Sequence, residues 1–494
     1  MCDICRGTAS FDPRRHSDAT GGSSPDESLA NLPLPTSDVT VPTDPLPTAS
    51  LDELATYLTS GYWQDTGQDS RSFADVIGNS TNHVITVDLT GLTAEGQRLA
   101  RWALDAWELS IDVQFTEVQI DGDITFDDED SGAYVTYDED SLGRLHADLN
   151  ISTDWLADYG TTMDSYSYST YVHEIGHTLG LGHMGFYNGS SGSMTYANDS
   201  YQVSVMSYIP QDQNPNVDAD YAEAAGPMIA DILAVQNIYG ISQVTDGDTT
   251  WGVGGTYSRQ FATLFSTDPD TGPIGFAIYD AGGDNDMIDL RASRGGGGDR
   301  LNLNQTSFSD IAGLIGNLAM ASGTVIEQAR MGRGNDTVIG NDADNLLWGD
   351  NGRDRLYGGG GTDSLFGGSG RDRLFGGAMD DRLRGQKGKD YLDSGEGDDV
   401  MIGGGGADEF FYGFGHDQDT IRDFTLGQDR LVFTAIDFGT QDAEDLLATY
   451  GQTIARGIRL DFGTSATSGG SYNDVLILVG VHDLDALADD IIFV

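Results

Sequence analysis

The spacing of hydrophobic positions changes along this 494-residue chain, and each spacing predicts a different structure. From Ile85 to Leu89 apolar and polar residues alternate, as in a half-buried strand. Thr93 then offers a helix N-cap ahead of Leu99, Trp102, Ala103 and Trp107, which share one helical face. Strand-like segments follow at Val113 to Val118, Asp123 to Phe126, Ala133 to Tyr137 and His146 to Ile151. A helix is expected over Tyr171 to Leu179. Another opens at Pro227, carries Met228, Ile232, Val235 and Tyr239 on one face, and stops at Gly240. Strands and a helix ahead of the Tyr171 helix suit an α/β subdomain forming one wall of a cleft.

Beyond residue 330 the period becomes nine. Aligning G-G-x-G-x-D-x-U-x places aspartates at Asp336, Asp354, Asp363, Asp372, Asp381, Asp390, Asp399, Asp408 and Asp417, with Asn345 in the one gap. The apolar position is as regular: Val338, Leu347, Leu356, Leu365, Leu374, Leu383, Leu392, Met401 and Phe410. Each nonapeptide predicts a glycine-rich turn and a short strand, two of them completing one coil of a parallel β-roll with the apolar side chains stacked inside. An Asp on one turn and another eighteen residues later can share a calcium ion with backbone carbonyls. Turn glycines are lost at 377 to 381 and 386 to 390, so calcium is less firmly expected there. A low-complexity acidic linker would not hold this phase over ten positions.

The balance of Lys+Arg 25 against Asp+Glu 79, net −54, is wrong for a nucleic-acid or anionic-membrane partner and right for a divalent-cation binder. No apolar run is long enough for a membrane span, and Val475 to Val479 has only strand length. The N-terminus has neither a basic n-region nor an apolar h-region, so no Sec signal peptide is expected. Cys2 and Cys5 form a single C-x-x-C without the second pair a zinc ribbon requires. From there to residue 50 the chain is rich in Pro, Ser, Thr and Asp and reads as a disordered leader.

The chemistry concentrates in HEIGHTLGLGH, residues 173 to 183. On a helix His173 and His177 project from one face and can converge on a tetrahedral metal. Glu174 lies beside that face, where its carboxylate can serve a metal-bound water as general base. Gly180 can take a left-handed conformation, turning the chain to deliver His183 as a third nitrogen ligand. Three protein ligands leave the fourth position for water, as in catalytic zinc sites.

That string is similar to the metzincin pattern H-E-x-x-H-x-x-G-x-x-H, and Ser204-Val205-Met206-Ser207-Tyr208 resembles the metzincin Met-turn. The resemblance implies that Met206 packs beneath the imidazoles without binding zinc. It also implies that Tyr208 can be an extra zinc ligand and then a donor to the developing oxyanion. With the repeats, Asp419-Thr420-Ile421-Arg422-Asp423-Phe424 and Gly427-Gln428-Asp429, the resemblance narrows to serralysins and covers nearly everything from residue 51 onward.

It implies an α+β metzincin-type zinc protease domain, then an all-β parallel β-roll of the RTX kind and a C-terminal β-sandwich-like region. The corresponding divisions are a leader or propeptide at 1–50, a catalytic domain at 51–245, a strand-rich lead-in at 246–330, calcium-binding repeats at 331–422 and a C-terminal region at 423–494. Ile278 to Gly283 and Gly323 to Glu327 look like lead-in strands. Asp490-Ile491-Ile492-Phe493-Val494 resembles the signal read by a type I secretion apparatus, implying an extracellular protein. A monomer acting on polypeptide substrates is expected, with one zinc and several calcium ions. A Cys2 or Cys5 thiolate on the open zinc position would keep a precursor inactive; an unrelated redox or structural role is the alternative. A non-enzymatic RTX surface or adhesion protein is the other class of reading, opposed by the intact Glu174. An RTX lipase would need a G-x-S-x-G elbow, which is missing.

Overall fold

A computed structural model describes residues 38–40, 45–74, 83–139, 144–188, 191–255, 272–293, 298–438, 440–465 and 472–494. The chain divides into two compact units. One comprises Met1–Thr245, Pro269–Ala281 and Leu314–Ser322; the other comprises Asp246–Asp268, Gly282–Gly313 and Gly323–Val494.

The first unit is built on a five-stranded sheet. Its order is Gln114–Val118, Val84–Gly91, Ile124–Asp127, Leu145–Ile151, Ala133–Glu139, and all neighbours are parallel except the last pair. Each strand overlaps its alternating segment in the sequence. The helix Ala94–Glu108 is capped by the Thr93 hydroxyl and buries Leu99, Ala103 and Trp107. Trp102 departs from expectation: it is half-buried, with the Arg98 guanidinium 5.5 Å from its ring.

The helix carrying the histidines runs Tyr166–Thr178, five residues longer at its start than the apolar pattern suggests, because the Ser165 hydroxyl accepts the Tyr168 N–H at 3.2 Å. The later helix is Ile229–Tyr239. It begins two residues past Pro227, where the Asp231 carboxylate accepts the Met228 N–H, and it ends at Gly240 with φ +84°.

Part of the stretch 1–50 is ordered, against the expectation from its composition: the strand Asp38–Thr40 pairs in parallel with Ser191–Ser193, and the Ala49 backbone exchanges hydrogen bonds with the Asn198 amide. Cys2 and Cys5 lie outside the described residues.

In the second unit successive nonapeptides alternate between two parallel sheets, so neighbours within a sheet are eighteen residues apart: Leu346–Gly352 beside Ser364–Gly370, and Arg355–Gly359 beside Arg373–Ala378. All nine apolar repeat positions from Val338 to Phe410 are fully buried. The last strands extend the same sheets. Tyr472–Val479 is parallel to Gln418–Ile421 and antiparallel to Gly457–Ser465, and Ile491–Phe493 pairs in parallel with Arg430–Phe433.

Three expectations are corrected. Ile278–Gly283 and Gly323–Glu327 are not strands; the strands are Ile274–Ile278, Leu318–Met320 and Gln328–Arg333, and Gly282 and Gly323 have positive φ in the connections. Asp417 does not continue the aspartate series, lying just ahead of the strand Gln418–Ile421 with φ +51°. Asp419 takes the buried position in its place, accepting the Asp399 N–H at 3.1 Å.

Candidate active site

The histidine helix ends in two hydrogen bonds of a Schellman cap, from the Gly180 N–H to the His177 carbonyl and from the Leu181 N–H to the Gly176 carbonyl. Gly180 adopts φ +103°, and a Cβ there would meet the Arg71 carbonyl at 2.8 Å. This reversal brings His183 back beside the helix, so that ligand nitrogens of His173, His177 and His183 all lie within 4.8 Å of one another. The Nε2 atoms of His177 and His183 are 3.1 Å apart, against about 3.3 Å for two nitrogens of a tetrahedral zinc site.

Backbone carbonyls select the tautomer. Nδ1 of His173 is 2.8 Å from the Val205 oxygen, and Nδ1 of His177 is 2.8 Å from the Leu181 oxygen. A carbonyl only accepts, so both Nδ1 atoms carry the hydrogen and both Nε2 atoms present a lone pair. His183 Nδ1 lies 3.3 Å from the Tyr62 hydroxyl. Burial pushes His173 down to about 4 and drives His177 and His183 well below the ordinary histidine value, so the three rings are neutral donors at pH 7. The residues present fit a zinc ion.

Glu174 is buried on the same helix, next to His173. Met206 is fully buried, and Gly176 explains how its thioether reaches the helix: a Cβ there would sit 2.7 Å from the Met206 sulfur. The turn carrying Met206 is pinned by Asp231, which accepts the Ser204 hydroxyl at 2.5 Å and the Val205 N–H at 2.7 Å. Tyr208 is half-exposed, with its ring 4.6 Å from that of His183. Tyr62, Tyr187, Asp199 and Asp231 also belong to the site's surroundings, and sequence reasoning missed all four. The acid at the third position of the helix Ile229–Tyr239 could have signalled Asp231; nothing local marks the others.

The predicted calcium aspartates form two rows in the second unit. In one, Asp336, Asp354, Asp372 and Asp390 each donate a backbone N–H to Oδ1 of the aspartate eighteen residues on, ending at Asp408. In the other, Asn345, Asp363 and Asp381 do the same, ending at Asp399. All eight aspartates are buried. Oδ2 of Asp354, Asp363, Asp372, Asp381, Asp390, Asp399 and Asp408 has no hydrogen-bond partner. Burial is the main reason these carboxyls are pushed up, to about 8 for Asp354 and Asp381, about 7 for Asp363 and Asp399, and about 6 for Asp336, Asp372, Asp390 and Asp408. Glycines leave room beside the orphan oxygens of all but Asp399: a Cβ at Gly376, for example, would stand 2.4 Å from Asp381 Oδ2. Hard, unpartnered oxygens in rows suit calcium.

Residues 90–207 match the Matrixin family, and residues 241–467 match the family described as Peptidase M10 serralysin C terminal. Serralysin A of Dickeya chrysanthemi is 39% identical over 254 residues, covering 49% of this chain and 52% of the relative. Serralysin B of the same organism is 36% identical over 288 residues, 54% and 57% of the two chains. The metallopeptidase AprA of Pseudomonas marginalis is 35% identical over 271 residues, 51% and 56%. The chain thus spans about half the length of the curated relatives it matches.

Proposed function

Because the chain belongs to the serralysin family, we propose that it is a secreted zinc-dependent endopeptidase whose aspartate rows bind structural calcium. The observation that carries this reading is the convergence of three neutral imidazoles beside a buried glutamate. Zinc held by His173, His177 and His183 would polarise a peptide carbonyl and bring the pKa of a water into the neutral range. Glu174 takes the proton of the attacking water and passes it to the leaving amine. Tyr208 offers its phenol to the carbonyl oxygen as negative charge develops there. The substrate is extended polypeptide. No helix among the described residues is long and apolar enough to cross a membrane.

Calcium is supported by the buried orphan Oδ2 atoms and the glycines that leave room beside them. In a calcium-poor cytosol the carboxylates repel one another and hold the roll unfolded, and external calcium folds it after export. The C-terminal Ile491–Phe493 is a paired strand in the folded roll, so a type I apparatus would read it before the roll forms. A monomer suffices for every group named.

The test is casein digestion by the intact protein and by Glu174→Ala, with and without a zinc chelator. The variant should retain zinc by elemental analysis and lose turnover by roughly a hundredfold to ten-thousandfold. Near-normal hydrolysis by Glu174→Ala, or activity indifferent to zinc removal, would sink the proposal.

A further inference from the structure

Asp199 is fully buried, and no Lys or Arg ion pair is seen at it among the described residues. Burying a carboxylate is costly, so what it binds is informative. The Tyr187 hydroxyl lies 3.0 Å from both carboxylate oxygens, and the Ser207 hydroxyl donates to Oδ1 at 2.6 Å. The same Tyr187 hydroxyl accepts the Tyr208 N–H at 3.3 Å, and Ser207 Oγ accepts the Ile209 N–H at 3.0 Å. Residue 208 is therefore held through its own backbone and through both neighbours. Its ring is also supported, stacking on Tyr187 at 4.9 Å and 20°. Asn214 fixes Asp199 in turn, donating to its backbone carbonyl at 2.8 Å. Tyr187 and Ser207 are as buried as Asp199, and only Tyr208 is half-exposed.

We propose that Asp199 and Tyr187 are positioning residues that hold the Tyr208 phenol where the carbonyl oxygen gains charge. The inference rests on the oxyanion role given to Tyr208 above. The physical rationale is preorganisation: a donor stabilises developing charge only if it need not be reoriented during the reaction, and small misplacements are expensive. Tyr187 supplies a face for the ring and an acceptor for the backbone, while Asp199 fixes the Tyr187 hydroxyl and the Ser207 hydroxyl relative to each other.

A double-mutant cycle separates positioning from structure. Tyr187→Phe keeps the ring stack and removes the hydroxyl; Asp199→Asn keeps the shape and weakens both acceptor bonds. Each should lower kcat by about three- to tenfold with KM and zinc content unchanged. In a Tyr208→Phe background, neither should lower kcat further. Full, multiplicative losses in the double variants, or an effect confined to KM or zinc content, would overturn the positioning role. Should Tyr187→Phe fail to fold, Asp199→Asn in the same cycle decides. A large Tyr208→Phe effect with unaffected Tyr187→Phe and Asp199→Asn refutes only the positioning claim. An unaffected Tyr208→Phe refutes the oxyanion reading and this inference with it.

Discussion

The two units use the same chain to solve opposite problems. In the first, one candidate metal centre is assembled from single-copy contacts between distant residues: Tyr62 reaches His183 across 121 positions, and Trp107 donates to the Val172 carbonyl across 65. In the second, one contact is repeated, an aspartate N–H donating to Oδ1 eighteen residues later, from Asp336 through to Asp408. Burial acts differently on the two donor sets. It removes charge from imidazoles, making them ready ligands, whereas it raises the pKa of carboxyls that must be charged to hold calcium. A unique site can therefore be destroyed by one substitution, while a repeated one degrades rung by rung.

The largest effect should come from His177→Ala. The variant should lose both metal and hydrolysis, by more than the roughly hundredfold to ten-thousandfold expected from removing a general base alone. Elemental analysis beside a peptide-cleavage assay would check it, and a variant that keeps full zinc would contradict the ligand assignment.

Next in size is the effect of pH on the roll in excess chelator. The folded-state pKa values of Asp354 and Asp381 are raised to about 8, and those of their neighbours to between about 6 and 7. A carboxyl with a raised folded pKa contributes stability that is fully present below the unfolded value, near 3.8, and is lost as pH climbs through the folded value. Without calcium, the roll should thus be most stable near pH 4 and weaken progressively to pH 8. Saturating calcium should remove that decline, each ion contributing about 2.7 kcal/mol at a hundredfold excess over its dissociation constant. Thermal melts across this range, with and without calcium, make the comparison.

Asn345 sharpens the comparison at a single rung. Its amide oxygen stands where the other rungs have an orphan carboxylate oxygen, but there it accepts the Asn341 N–H at 2.8 Å, while its amide nitrogen lies 3.3 Å from the Ile326 carbonyl and 3.1 Å from Asn341 Oδ1. Asn345→Asp should destabilise the protein by about 1–3 kcal/mol at limiting calcium and make it more dependent on calcium. A calcium titration followed by calorimetry would detect both changes.

Smallest is Gln386→Gly. Gln386 adopts φ +73° in register with Gly368 and Gly404, so glycine should relieve about 1 kcal/mol of backbone strain and raise the melting temperature slightly.

Legibility in the sequence follows the same division. The roll was readable because repetition turns spacing into structure: a nine-residue phase predicts both the inward apolar position and the eighteen-residue partner. It failed only where the phase breaks, at Asp417, since two extra residues bring Asp419 into the row. The three histidines and Glu174 were readable because one helix and one glycine turn place them locally. Tyr62, Tyr187 and Asp199 were not, because their roles arise from separate segments meeting in three dimensions, which no local pattern encodes. Trp102 was misplaced because its indole can be covered by Arg98 at the surface as well as by core.

The central claim is that zinc serves chemistry and calcium serves folding, in separate regions. Its most direct test is a calcium titration of the intact chain and of His177→Ala, followed by circular dichroism. Both should gain β-structure at calcium concentrations on the order of 0.1 to 1 mM with the same midpoint, although only the former hydrolyses peptide. A roll already folded in excess chelator at pH 8, or one that needs the zinc ligand in order to respond to calcium, would contradict it.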